Sequence, residues 1–132
     1  MGQQQLLLLI LSAIIVGVSI VMGINMFGEN AAQANQDAVT QDVLTIASRA
    51  QGWFRRPVQL GGGGRSFNGV TLAGLNFATP NDNGSYAATV TAGGDSLRIV
   101  GTGNENPDGA GGNLAVTVDV GADGVSAATV TQ

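Results

Sequence analysis

The chain has 132 residues, a net charge of −4 and only 11% charged residues, with 21 glycines, five arginines and no lysine, histidine or cysteine. This composition excludes a disulfide scaffold, the common zinc ligands, a cysteine nucleophile and the commonest general base. Because nucleic-acid binding needs a basic surface, the acidic balance disfavours a nucleic-acid partner. No carboxylate pair, nucleophile–base pair or metal cluster is evident, so we expect neither an enzyme nor a bound metal or cofactor.

The first segment, 1–28, carries no charged side chain. As a helix, its apolar run Leu6–Phe27 would be about 33 Å long, which is enough to cross the hydrocarbon core of a membrane. A helix that is apolar on every side must be buried in lipid or in protein. Small residues recur four positions apart, at Ala13 and Gly17 and again at Ser19 and Gly23. Such spacing lets the backbones of neighbouring helices approach closely.

Three interpretations of this segment compete. A secretory signal peptide would explain the cleavage pattern Ala32-Gln33-Ala34, but the apolar run is longer than usual and no basic residue precedes it. A plain membrane anchor normally has flanking lysine or arginine, and the first such residue here is Arg49. We favour a helix that starts in a membrane and ends in the core of a polymer. We also expect this helix to be loose between Gly17 and Asn25, where two glycines and an asparagine lower helix propensity.

The second segment, 29–57, has the pattern of an amphipathic helix. Acidic residues come early and arginines come late, which complements the helix dipole, and Pro57 ends the helix. We predict one nearly continuous helix from Gln3 to Arg56, roughly 80 Å long. Apolar residues recur in steps of about three and four and predict the face that packs on the rest of the chain, mainly through Val39, Val43, Ile46, Ala50 and Trp53.

The third segment, 58–132, is rich in glycine, threonine, valine, alanine and asparagine. Gly61–Gly64 lacks the features of a phosphate-binding loop, so we interpret it as a flexible turn. Alternating apolar residues predict short antiparallel strands, with turns at Gly93-Gly94 and Gly121–Gly124 and a longer loop at 101–113. The expected fold is therefore α+β, a long helix packed on a small antiparallel sheet. We expect the strands to be Tyr86–Thr91, Leu97–Ile99, Leu114–Val120 and Val125–Thr131, and the helix to face Leu97, Ile99, Val116 and Val118.

Polar residues in the loops suggest two further features. The sets Asn81-Asp82-Asn83 and Asn104-Glu105 with Asp108 offer oxygen ligands for Ca²⁺, but neither has the EF-hand spacing, and we interpret both as solvated loops. Asn83-Gly84-Ser85 matches the N-glycosylation acceptor pattern, which makes Asn83 a candidate glycosylation site.

The order of these segments resembles a type IV pilin, with an apolar half-helix, an amphipathic half-helix and a compact antiparallel sheet. Specific residues that resemble a bacterial pilin-like group are Gly2-Gln3-Gln4-Gln5-Leu6-Leu7-Leu8-Leu9-Ile10, Gly23-Ile24-Asn25-Met26-Phe27, Ala50-Gln51-Gly52-Trp53-Phe54-Arg55-Arg56-Pro57, and Gly61–Gly64 with Ser66-Phe67.

The resemblance implies a structural subunit of an extracellular filament on the cell surface. Such a subunit waits in the cytoplasmic membrane, is processed by a prepilin peptidase and is polymerised with copies of itself by pilus assembly machinery. The residues implied in the filament core are Gln5, Leu6, Leu9, Ala13, Ile14, Gly17, Ser19 and Gly23. Motility, adhesion, DNA uptake and secretion remain open as roles, and a membrane-anchored monomeric β domain that binds a partner is the alternative.

Three departures from the family pattern bear on this interpretation. Type IV pilins usually have glutamate at mature position five, whereas this chain has Gln5, or Leu7 if cleavage follows Gly2. The usual basic leader is absent, which leads us to expect a chain that is already processed. The helix-breaking proline of the apolar segment is also missing. A minor pilin, a secretion-system pseudopilin and a divergent major pilin therefore all remain open.

Overall fold

A computed structural model describes residues 2–91, 93–106 and 112–132 of the chain. Helix α1 (Gly2–Arg55) is followed by a 3₁₀ turn (Val58–Leu60) and four strands. The strands are β1 (Gly84–Val90), β2 (Ser96–Gly103), β3 (Ala115–Gly121) and β4 (Thr129–Thr131). They form one antiparallel sheet in the order β1-β2-β3-β4, and α1 packs on β2 and β3. The α+β class expected from the sequence is therefore confirmed.

Helix α1 has 54 residues and is continuous, including the stretch Gly17–Asn25. Its length is about 81 Å at the usual rise per residue. The expected loosening is not seen in the single chain. Glycine lowers helix propensity by about 1 kcal/mol but keeps its N–H, so the hydrogen-bond ladder can continue through it, unlike at proline.

The end of α1 is closed by the glycine run, which corrects the expectation of a flexible turn. The N–H of Gly63 donates to the carbonyl of Trp53 at 2.9 Å, and the N–H of Gly64 donates to the carbonyl of Arg56 at 3.0 Å. The N–H of Arg65 donates to the carbonyl of Phe54 at 2.8 Å. The final carbonyls of a helix have no partner within it, so the loop that satisfies them is held against the helix end. A side chain at Gly63 would collide with the indole ring of Trp53.

The core lies between one face of α1 and the sheet. Of the five residues expected on this face, four are buried and Trp53 is partly buried against the edge of the core. Phe67 is the largest fully buried side chain among the described residues, and it stacks on Phe54 with ring centroids 4.7 Å apart. The buried residues from the helix and the sheet are Val39, Val43, Ile46, Ala47, Ala50, Tyr86, Leu97, Ile99, Val116, Val118 and Val120.

The segment between the helix and the sheet forms no strand within Gly61–Pro80, yet it supplies part of the core through Phe67, Val70 and Leu75. It folds across one end of the helix–sheet sandwich. Its hydrophobic residues are spaced irregularly because they come from successive turns, so neither helical nor strand periodicity could reveal them.

The largest differences from the predicted strands are in β2 and in the last strand. Strand β2 continues to Gly103, so the loop expected at 101–113 begins later; its residues 107–111, and with them Asp108, lie outside the described residues. The last strand is confined to Thr129–Thr131, with a single bridge between Val120 and Val125 before it. Gly101 is buried beneath α1, where only a glycine leaves room for Val39 and Val43 to reach the sheet.

Candidate assembly surface

The apolar half of α1 has no partner within the part of the chain that the structure describes. From Leu6 to Phe27 the large hydrophobic side chains are between 53% and 78% exposed, and no described residue of 2–28 is buried. All buried positions of α1 belong to its second half, from Ala32 onward. The structure thus separates a folded domain from a projecting apolar helix that is long and hydrophobic enough to cross a membrane. This projection is compatible with membrane association.

The two hydroxyl groups in this half are satisfied internally. Ser12 donates to the carbonyl of Leu8 and Ser19 donates to the carbonyl of Ile15, each at 2.8 Å. Burying an unpaired hydroxyl in an apolar environment costs free energy, so the internal bonds remove that penalty. The surface can therefore be buried in lipid or against other helices without supplying new hydrogen bonds to these serines.

The eight residues expected in the filament core all lie on this projecting half. Gly23 is partly covered and the other seven are exposed: Gln5, Leu6, Leu9, Ala13, Ile14, Gly17 and Ser19. Ala13 and Gly17 form one pair on the helix surface, and Ser19 and Gly23 form another. At 3.6 residues per turn, the two pairs lie on faces about a third of a turn apart. Among the described residues, no other part of the chain comes within 4 Å of a Cβ placed on Gly17 or Gly23. Both small-residue pairs are therefore open to neighbouring helices on two different faces.

A polar cluster around Asp42 ties the second half of α1 to the sheet. The Asp42 carboxylate accepts hydrogen bonds from the Tyr86 hydroxyl at 2.5 Å, the Asn83 amide at 2.8 Å and the Asn81 amide at 3.0 Å. The sequence interpretation missed this cluster because its members are about 40 residues apart along the chain. Within the local sequence, the signal for this cluster was the position of Asp42, an acidic residue next to the buried Val43 on an amphipathic helix.

This cluster changes the interpretation of the loop asparagines. The side-chain nitrogen of Asn83 faces Asp42 and is committed to it. A glycosylated amide nitrogen keeps one N–H, so a glycan on Asn83 would have to fit beside this hydrogen bond, and glycosylation of Asn83 stays a prediction. Asn81 also turns inward to Asp42, so it does not form a cation site with Asp82. Among the described residues, no group of three or more acidic side chains is placed to hold a metal ion.

The hydrogen bonds around Asp42 shift two pKa values. Partial burial raises the pKa of the Asp42 carboxyl, but hydrogen bonds from Asn83, Tyr86 and Asn81 outweigh it, so its pKa is below the usual 3.8. Burial and the hydrogen bond to the Asp42 carboxylate raise the pKa of Tyr86 above its usual value. Both shifts favour an ionised carboxylate beside a neutral phenol in the folded chain.

Comparisons with protein-family models, with curated proteins and with solved structures found no match.

Proposed function

We propose that this protein is a structural, non-enzymatic subunit of an extracellular type IV pilus-like filament, which polymerises through the apolar half of α1. The observation that carries the proposal is the separation of a folded domain from a fully apolar helix with no partner in the chain. The order of the two helix halves and the sheet, together with the pilin-like residues of the N-terminal block, supports it.

The proposed mechanism is physical. Before assembly the apolar half of α1 lies in the cytoplasmic membrane, and during assembly it moves into a bundle of identical helices. Outside the membrane, each large apolar side chain removed from water contributes about 1.5–3 kcal/mol. The 16 large hydrophobic side chains from Leu6 to Phe27 therefore provide strong cohesion. Repeated contacts between different faces of the same chain produce a helical polymer when the rotation from copy to copy does not close into a ring, and the proposed filament has contacts of this kind. The sheet would then form the outer surface.

A monomeric membrane-anchored β domain is the alternative, because the same helix is long and apolar enough to anchor a single chain in a bilayer. A secretion-system pseudopilin is a variant of the first proposal, because it too would polymerise through the apolar half of α1. The two classes differ in what buries the helix outside a membrane: copies of the chain in the first, and only detergent or lipid in the second.

The test is removal of detergent from the purified full-length chain, followed by sedimentation and negative-stain imaging. Wild type should form filaments that pellet. Ile14→Arg should leave the folded domain intact and abolish filaments, because the charge lies in the middle of an uncharged surface with no acidic side chain in 1–28 to pair with. A charge at the centre of an apolar span costs about 2.5–3.5 kcal/mol per copy on membrane-insertion scales.

Leu60→Arg is the matched control, because Leu60 is 71% exposed but belongs to the folded domain. It should form filaments as wild type does. Normal filaments from the Ile14→Arg chain would refute the proposal, as would a fragment of residues 29–132 that polymerises unaided. A wild-type chain that remains monomeric in detergent and aggregates without order when detergent is removed would favour the membrane-anchored alternative.

A further inference from the structure

The charged side chains of the folded domain are unevenly placed along its long axis. Four of the five arginines lie at the C-terminal end of α1 or in the loop that closes it: Arg49, Arg55, Arg56 and Arg65. Two acids, Asp95 and Asp123, lie on the hairpin turns nearest that end. The fifth arginine, Arg98, is on the sheet and pairs with Asp119 at 2.7 Å.

A cleft of about 370 Å³ opens among these arginines. It is lined by Arg49, Gly52, Trp53, Arg56, Gly74, Leu75 and Asn76. Arg49 is held in place, because its guanidinium donates to the carbonyl of Asn76 at 2.6 Å and lies 6.0 Å from the ring centre of Phe77. Arg56 is exposed and forms no ion pair among the described residues. The cleft therefore combines one fixed and one free guanidinium beside a partly exposed indole ring.

The opposite end of the domain is acidic. Glu29 and Asp37 are exposed on α1 near the start of its amphipathic half. Asp82 and Glu105 are exposed on loops that meet at Asn35, whose side chain donates to the carbonyl of Asn83 and accepts from the N–H of Glu105. No arginine or lysine lies at this end among the described residues.

We infer that the arginine cleft, defined by Arg49, Trp53 and Arg56, is a docking site for the acidic end of a second copy of this chain. This inference rests on the proposed filament. A neighbour displaced along the helix axis by about 28–40 Å, the span from Arg56 to Asp37 or Glu29 at 1.5 Å per residue, would bring its acidic end to the cleft.

A second copy is the occupant that fits both ends of the domain at once. Guanidinium groups bind carboxylates through paired hydrogen bonds, and complementary charges at opposite ends select a head-to-tail register. The small residues of the apolar half let neighbouring helices approach closely, but this half carries no charge and therefore discriminates less between registers than the charged ends do. The cleft would therefore specify how far each copy is displaced, while the helix supplies cohesion.

Cysteine cross-linking tests the contact directly, because the natural chain has no cysteine. Arg56→Cys is combined in turn with a cysteine in place of each of the four acids at the opposite end. Within one chain the Arg56 and Asp37 positions are about 28 Å apart, far beyond the roughly 7 Å that a disulfide can span between Cα atoms. Any disulfide must therefore join two copies, and mild oxidation of filaments should yield a ladder of covalent multimers. Arg98→Cys with the same acids is the matched control and should yield none.

A charge-reversal series gives an independent readout. Arg56→Glu should raise the chain concentration needed for assembly by about tenfold, which corresponds to a modest change in contact free energy. Reversal of the contacting acid to arginine in the same chain should restore assembly. Arg98→Glu should assemble at the wild-type concentration.

The outcomes separate the two proposals. Wild-type filaments that give no ladder with any Arg56 pair, or as strong a ladder with the Arg98 pairs, would overturn the docking site and leave the filament standing. So would Arg56→Glu filaments that assemble at the wild-type concentration. A wild-type chain that forms no filament would remove both proposals.

Discussion

Gly101 offers a sharp test of how the helix meets the sheet. A Cβ at this position would lie 2.7 Å from a methyl of Val43, 2.8 Å from a methyl of Val39 and 3.0 Å from the ring of Tyr86. Carbon atoms in favourable contact are about 3.5–4.0 Å apart, so Gly101→Ala requires α1 to move by close to 1 Å. Both valines are fully buried and β-branched, and they cannot turn away easily.

The expected cost can be worked from two opposing effects. Overpacking a core costs about 1–3 kcal/mol, and two rigid contacts favour the upper part of that range. Replacing glycine by alanine in a strand returns roughly 0.5–1 kcal/mol. We therefore expect Gly101→Ala to lower the free energy of unfolding by about 1–2 kcal/mol.

Urea unfolding of the fragment 29–132, followed by circular dichroism, measures this change. Gly52→Ala is the matched control, because Gly52 is exposed on α1 and its Cβ would meet nothing within 4 Å. The control should raise stability by up to about 1 kcal/mol through helix propensity. A Gly101→Ala fragment as stable as wild type would show that the helix does not approach the sheet this closely.

Four further predictions concern the core packing, the polar cluster and the exposed half of α1. Phe67→Ala should lower the free energy of unfolding of the fragment by about 3–5 kcal/mol, because Phe67 is fully buried. Trp53→Ala should lower it by about 2 kcal/mol, because Trp53 is only partly buried. Denaturant titration of both variants measures these changes, and the reverse order would contradict the packing. The pKa of Asp42 is lower in the folded chain than its usual 3.8, so the ionised carboxylate stabilises the fold fully above pH 3.8. This stabilisation is lost as the pH falls below 3.8. In Asp42→Asn, the temperature of thermal unfolding should no longer fall with pH for this reason. The pKa of Tyr86 is raised in the folded chain, so its neutral hydroxyl stabilises the fold fully below pH 10.0, and this stabilisation is lost at higher pH. Tyr86→Phe should therefore reduce the fall of thermal stability at alkaline pH. An unchanged dependence of thermal stability on pH would contradict the hydrogen bond between Tyr86 and Asp42. Gly17→Leu should leave the thermal unfolding of the domain unchanged, because the space around Gly17 is open in the single chain. It should weaken filament assembly measured by sedimentation, because in the filament a neighbouring helix would pack against Gly17.

Local patterns in the sequence were sufficient for the helix and for most of the sheet. A helix formed by an uncharged run of about 22 residues must be buried on every side, independently of the rest of the sequence. The three-and-four spacing from Val39 to Ala50 selects the buried face of α1, and those residues are buried in the structure. Alternation from Leu114 to Val120 likewise predicts the buried side of β3, which the structure bears out.

Local patterns did not predict one part of the core or the structure at the end of α1, because both depend on residues that are distant in sequence. Phe67 adds a large, fully buried ring to the core from a segment with no periodicity, whereas Trp53 is only partly buried against the core. The glycine run looked flexible because glycine propensity describes an isolated chain, whereas here the loop completes the hydrogen bonding of a helix end.

The amino-acid sequence by itself determined that this chain must hide a long apolar helix, because hydrophobicity is a property of each side chain and adds along the run. The tertiary structure decided which part of the helix the chain can cover by itself. The small sheet covers only the half from Ala32 onward, and the half before it is left without a partner. Tertiary folding also brought Asp42 to Tyr86 and placed Leu75 and Asn76 beside the arginines at the end of α1, which forms the cleft. Contacts of this kind depend on where the chain returns in space, which no local pattern of residues specifies.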